Sequence, residues 1–383
     1  MYNFDEIIDR RHTGALKWES GPDGSSLPED IIPMWVADMD FPCASPIVDA
    51  LHKAVDNRVY GYSQYPEGYF DALKDFYARR HNITINEDEI LFTAGVVPAL
   101  QYAVLALTEP GDGVITQTPV YYPFFGVISK GNRVLLDNKL INTDGKYSID
   151  FDDLEKLASD PRAKVMMICS PHNPVGRVWT AEELTKMQEI CLRHDLVFLV
   201  DEIHHDLIRG GYKHISVMEL FPDAQNVICC TAPSKTFNLA GLGVSHMFCR
   251  NKEYLKKIAA VRGYPDQNPL SLAAVKAAFT YCDDWIDQLN EYIDGNFDLF
   301  YELVEKYFPK AKITKTEGTY LAWVDIRAYT EDSKAVETLL LDKYHVYIEC
   351  GDAFHGEGFL RINLACPRSY VKEAFDRIKD IKL

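Results

Sequence analysis

The stretch LVFLVDE, residues 196–202, carries the first decision about the fold. Five apolar residues in succession end on two carboxylates. A run this short and continuous suits a strand buried on both faces, the kind found in parallel sheets covered by helices. On either side of it, related runs stand at EILFT (89–93), GVITQ (113–117) and KVMMICS (164–170) toward the N-terminus and at NVICCTA (226–232) toward the C-terminus. Between them, PALQYAVLALTEPGDG (98–113) and TAEELTKMQEICLRHD (180–195) read as helices. Pro98 suits a first helical position, and Thr180 suits an N-cap whose capping box Glu183 completes. Strand and helix alternating over residues 88–245 predict an α/β unit built on a mainly parallel sheet with helices on both faces.

At 383 residues the chain exceeds the size at which one core stops growing, so two units are expected. The larger spans 48–284. The smaller, an α+β unit, joins 1–47 to 285–383: there DDWIDQLNEYIDGNFDLFYELVEKYF (283–308) has helical spacing, and GTYLAWVDI (318–326) and FLRINLA (359–365) read as strands of one sheet, to which the N-terminal segment is expected to contribute. A net charge of −17 argues against nucleic acid or an anionic membrane as partner. No stretch reaches the roughly 20 apolar residues of a spanning helix. The start of the chain lacks the pattern of a secretory leader, so a cytoplasmic protein is expected. Nine scattered cysteines without a C-x-x-C pair read as reduced core residues.

Ligands of open α/β sheets bind beyond the carboxyl ends of the strands, so the residue after each run matters most. Those ends supply Thr93-Ala94-Gly95, Pro119 to Tyr122, Ser170 to Asn173, Asp201-Glu202 and Ser234-Lys235. Lys235 is either a solvated surface charge or an amine whose pKa is lowered near the sheet edge, making it a Schiff-base nucleophile and proton-transfer base. Asp201 follows five apolar residues, where a carboxylate needs a cation or serves as an N-cap; a protonated pyridine ring is such a cation. His204 reaches toward Asp201 or a phenolic oxygen. His204, His205 and Asp206 also raise a metal, but no H-E-x-x-H spacing accompanies them, and no metal is expected. Gly95, Val96 and Val97 lead from strand to helix, a geometry whose amides attract phosphate. Tyr121 and Tyr122 stack on a planar ring or fill the core. Asn173 stabilises a turn or donates to a cofactor, and Arg361 grips a substrate carboxylate or forms a structural ion pair.

In this order the motifs resemble the fold-type I pyridoxal-phosphate (PLP) enzymes, and within them the MalY/PatB-type cystathionine β-lyases, or C-S lyases. The resemblance is carried by MWVADMDFP (34–42), YGYS (60–63), TAGVVPAL (93–100), PVYYPFF (119–125), SPHNPVGRVW (170–179), DEIHHDL (201–207), SKTFNLAGLG (234–243) and FLRINLACPR (359–368). It implies the aspartate aminotransferase-like fold and pyridoxal 5'-phosphate as cofactor. It further implies Lys235 as the Schiff-base lysine, Asp201 as partner of the pyridine nitrogen, Asn173 and His204 near the phenolic oxygen, and Tyr121 stacked on the ring. Val96 and Val97 would hold the phosphate and Arg361 the substrate carboxylate. Tyr62, or alternatively Tyr60, would reach the phosphate from a neighbouring subunit of a homodimer. The broader aminotransferase pattern has a phosphate-binding arginine eight residues after the lysine; here that place is Gly243, with Ser234 or Thr231 as substitutes. This departure, and His204 where aminotransferases usually have tyrosine, favour the lyase subgroup. The implied reaction is β-elimination from L-cystathionine, L-cysteine or another small sulfur amino acid. The alternatives are an aminotransferase and a PLP-bearing regulatory protein that binds a transcription activator.

Overall fold

The computed structural model describes residues 1–264 and 268–382. A seven-stranded sheet runs in the order Ile90–Thr93, Ser245–Cys249, Val227–Thr231, Val197–Asp201, Ala163–Cys169, Gly113–Thr116, Val134–Asp137. Only Ser245–Cys249 lies antiparallel to its neighbours. The apolar runs are continuous because each face of the sheet needs alternate residues. Phe198 and Val200 pack into one core with Met166, Ile168 and Cys229, while Val197 and Leu199 pack into the opposite core with Val165, Met167 and Ile228. The first face is covered by helices Tyr69–His81, Ala181–Arg193 and Pro269–Tyr281, the second by Val96–Leu107, Pro123–Lys130 and Lys252–Arg262.

The helix Ala181–Arg193 starts as expected: Thr180 accepts from the Glu183 amide at 3.2 Å, and Glu183 accepts in return from the Thr180 amide at 2.8 Å. The preceding helix begins earlier than its proline suggested. It spans Val96–Leu107 with Gly95 as N-cap, which places Pro98 at the third position. A proline is tolerated there because the first turn's amides have no intrahelical acceptor. The strand Ser245–Cys249 has no place among the expected runs because it carries Ser245 and His246. Both are buried, and both are partnered, Ser245 by Thr93 at 2.5 Å and His246 by Tyr69 at 3.1 Å.

Helix Asp283–Tyr307 leads to a four-stranded antiparallel sheet ordered Lys312–Ile313, Leu321–Asp325, Phe359–Asn363, Glu349–Cys350. The N-terminal segment does not add a strand to it. Ile32–Pro33 instead pairs in parallel with Val346–Tyr347 as a separate two-stranded sheet, and the Asn363 amide donates to Met34 O at 2.8 Å. Pro33 has no donor of its own, which suits so short an edge pairing. All nine cysteines are free, and all but Cys43 are buried.

Candidate active site

A cavity of about 180 Å³ opens at the carboxyl edge of the seven-stranded sheet. Gly95, Val96, Val97, Tyr121, Asn173, Asp201, His204, Ser234 and Lys235 all line it, together with Ala37, Gly243 and Val244. Residues far apart in sequence are brought together because most of them stand just beyond strands of the same sheet.

Lys235 lies in the short helix Pro233–Thr236 after the strand Val227–Thr231. Its ammonium donates to Ala37 O, and burial, opposed mainly by Asp38, pulls its pKa down from 10.5 to about 8. Tyr320 donates to the same carbonyl at 2.9 Å. The segment that carries Ala37 is pinned on both sides: Asn363 donates to Val36 O and Asp38 O, and the wholly buried Lys17 meets Asp40 at 2.6 Å. Position 37 therefore offers Lys235 a fixed acceptor.

Asp201, 2% exposed, ends its strand, and the Ile203 amide donates to Oδ1 at 3.0 Å. Burial raises its carboxyl from 3.8 to about 7, while that amide and Lys235 oppose the rise only in part. A carboxyl in this position is short of a cation. His204, on the same segment, is pushed well below the usual histidine range by burial, then by Lys235 and Arg361, so its ring is neutral; its Nδ1 is buried with no partner among the described residues.

Tyr121 lies 5.3 Å from Tyr122 between ring centroids, and burial raises its phenol far enough to keep it protonated. Its amide donates to Asn173 O at 3.0 Å, which ties two strand ends together. Asn173 Oδ1 accepts from Arg361 Nη1 at 3.3 Å. Arg361 sits on Phe359–Asn363, only 2% exposed, and its Nη2 donates to Trp35 O at 3.0 Å and to Glu349, the residue opposite it in register. Arg361 Nε has no partner among the described residues. Burial raises the Glu349 carboxyl above the usual range, with Arg361 opposing.

Tyr62 lies outside this cavity and is 97% exposed; Tyr60 is also exposed and donates to its own Val55 O at 2.7 Å. Thr231 does not line the cavity: its hydroxyl is buried against Tyr77 at 2.6 Å, which removes it as a substitute phosphate donor. Gly243 does line it, at φ +59°, where an added Cβ would lie 3.3 Å from Ala94 O. An arginine at this position would therefore sit under backbone strain and press on Ala94 O. Behind the site, His81, His205 and Asp206 bring potential ligand atoms within 4.8 Å of one another. Asp206, however, already accepts from His81 at 3.0 Å, Thr236 at 2.8 Å and Arg80 at 3.3 Å, and His205 Nε2 lies 3.0 Å from its Oδ2, so the carboxylate is engaged on both oxygens.

Sequence reasoning missed Ala37, Tyr320 and Glu349. None follows an apolar run of the large sheet, and a carbonyl acceptor leaves no residue-type signal.

An amine and a carboxyl beyond separate strands share one cavity with the start of the helix Val96–Leu107, the arrangement of a sheet-edge cofactor enzyme. The chain belongs to the aminotransferase class I and II family, whose model matches residues 30–378, and groups there with the PatB and MalY type of cystathionine β-lyases. It is 37% identical over 383 residues to cystathionine beta-lyase PatB of Bacillus subtilis, covering 98% of this chain and 99% of the relative. Protein MalY of Escherichia coli is 29% identical, with 97% of each chain covered. Among solved structures, cystalysin from Treponema denticola, which contains pyridoxal 5'-phosphate, superposes with a TM-score of 0.94 at 39% identity, covering 99% of this chain and 98% of that one. The PLP-bound C-S lyase of Staphylococcus hominis, complexed with L-cycloserine, gives 0.93 at 34% identity, covering 99% and 98%.

Proposed function

We propose that this protein is a PLP-dependent C-S lyase that performs β-elimination on L-cystathionine, L-cysteine or a related sulfur amino acid, releasing a thiol, pyruvate and ammonia. The observation that carries the reading is the pairing of Lys235 and Asp201 in one buried cavity, each shifted by burial toward its uncharged form. The cavity fits the cofactor. Asp201 lacks a cation and would meet the pyridine nitrogen, and His204 Nδ1 and Asn173 are polar groups left for the phenolic oxygen. The amides of Gly95, Val96 and Val97, with the Ser234 hydroxyl, form the anion cradle. When bound, the cofactor supplies an electron sink for the pair left at the substrate Cα.

The protein's own groups do the rest. Arg361 holds the α-carboxylate, with Asn173 fixing the guanidinium, and this aims the Cα–H bond at Lys235. The Lys235 amine, whose pKa burial lowers to about 8, is free enough of protons to take that one. Tyr121, a protonated phenol over the cavity, and the newly formed Lys235 ammonium are the donors available to the departing sulfur. The remaining three carbons take up water and leave as pyruvate and ammonia. Tyr62, exposed here, is assigned to the phosphate end of a neighbouring copy's cavity across a homodimer interface. Residues 48–284 would form the cofactor-binding unit and 1–47 with 285–383 the smaller one. Among the described residues no helix is long and apolar enough to cross a membrane, and we place the protein in the cytoplasm.

The test is pyruvate release from L-cystathionine with no keto acid supplied. Many turnovers per active site are expected. No pyruvate, with one equivalent of substrate converted to its own keto acid until a second keto acid is added, would show an aminotransferase instead.

A further inference from the structure

Two carboxylates converge on one guanidinium in this site. Glu349 occupies Arg361 Nη2 already, and under the β-elimination reading a substrate α-carboxylate must share the same arginine. The neighbouring charges do not relieve this: Lys334 is engaged by Glu337, whose other oxygen takes the Cys350 amide at 2.7 Å. With substrate bound, one negative charge beside Arg361 is therefore left without a partner. Its location is defined. Glu349 Oε1 accepts from no group among the described residues, and the side chain is 13% exposed. Tyr122, 39% exposed and next to the buried Tyr121, has its hydroxyl under the influence of both Glu349 and Arg361. Of these residues Tyr121 lines the cavity and its ring stands 5.3 Å from that of the partly exposed Tyr122, so the distal half of a thioether is inferred to extend past Tyr122 toward Glu349.

From this we infer that Glu349 is a specificity-determining residue that favours thioether amino acids ending in an ammonium group over those ending in a carboxylate. The inference rests on the β-elimination reading and on Arg361 as the carboxylate holder. It narrows the substrate class to amino acids carrying a second amine beyond the sulfur. A distal ammonium supplies the missing cation, and a distal carboxylate adds a third anion to one arginine.

Three thioethers of matched length test it: S-(2-aminoethyl)-L-cysteine, S-propyl-L-cysteine and S-(carboxymethyl)-L-cysteine. For the wild-type holoenzyme, kcat/KM for the cationic member is expected to exceed that for the anionic one by about tenfold or more. In Glu349→Gln, where an amide oxygen still accepts from Arg361, that ratio is expected to fall to within about threefold of unity. Because the ratio is taken within one enzyme, a general loss of rate cancels. A wild-type preference for the anionic thioether, or an unchanged ratio in the variant, overturns the inference. If even the neutral thioether releases no pyruvate, the β-elimination reading is what has failed. Glu349 is then judged by calorimetric Kd values for L-lysine and L-2-aminoadipate, where tighter lysine binding supports the assignment and equal or reversed affinities refute it. The same wild-type comparison decides the matter should the variant fail to fold.

Discussion

Replacing Asp201 with asparagine isolates the cost of burying a carboxyl that lacks its cation. In the cofactor-free protein this group titrates at about 7 instead of 3.8, a difference of about 3 pH units, chiefly through burial. At 1.36 kcal/mol per unit, that is a penalty of about 4 kcal/mol on the ionised form. The folded-state pKa lies above the unfolded one, so between pH 4 and 7 the unfolded chain has released a proton that the folded chain keeps. Stability must therefore fall as pH rises through that window and level off above it. The asparagine side chain has no proton to release. Denaturant melts of wild type and Asp201→Asn without cofactor, at pH 4.5 and pH 8, should show the variant gaining on wild type by several kcal/mol at the higher pH. With pyridoxal phosphate bound the order should reverse, because only the carboxylate meets the ring cation. A stability difference that does not vary with pH would show that Asp201 is solvated or already paired, and the electrostatic basis of the site would be wrong.

Arg361→Lys keeps the charge but loses the planar fork, so kcat/KM should drop about 10- to 100-fold with most of the loss in KM. Steady-state kinetics checks this, and an unchanged KM would remove Arg361 from carboxylate binding. Gly243→Arg, which restores the aminotransferase residue, should weaken and not strengthen cofactor affinity, because its Cβ presses on Ala94 O at 3.3 Å in a left-handed backbone. Fluorescence titration of cofactor into the variant reads the direction. Thr180→Ala should cost about 1 kcal/mol by denaturant melt through loss of the cap.

The strand runs and the polar residues at their ends were legible because burial on both faces demands continuous apolar residues, and because sheet-edge chemistry sits where those runs stop. Asp201, Asn173, Lys235 and the Gly95 turn are all found by that rule. Ser245–Cys249 escaped it because its polar residues are satisfied by partners far away in the chain. Glu349 escaped for a related reason: its role exists only once Glu349–Cys350 pairs with Phe359–Asn363, a register that neither segment states alone. Ala37 acts through its carbonyl, which every residue possesses, so composition carries no trace of it. The Val96 helix start was misplaced by two residues because a proline is acceptable anywhere in the first turn.

Whether Lys235 carries the cofactor is decided by loading the protein with pyridoxal phosphate, reducing it with borohydride and mapping the modified peptide by mass spectrometry. The cofactor should be fixed on Lys235, and Lys235→Ala should lose both the adduct and the visible absorbance band. An adduct on another lysine, or an unaltered band in that variant, would contradict the assignment on which the proposed chemistry stands.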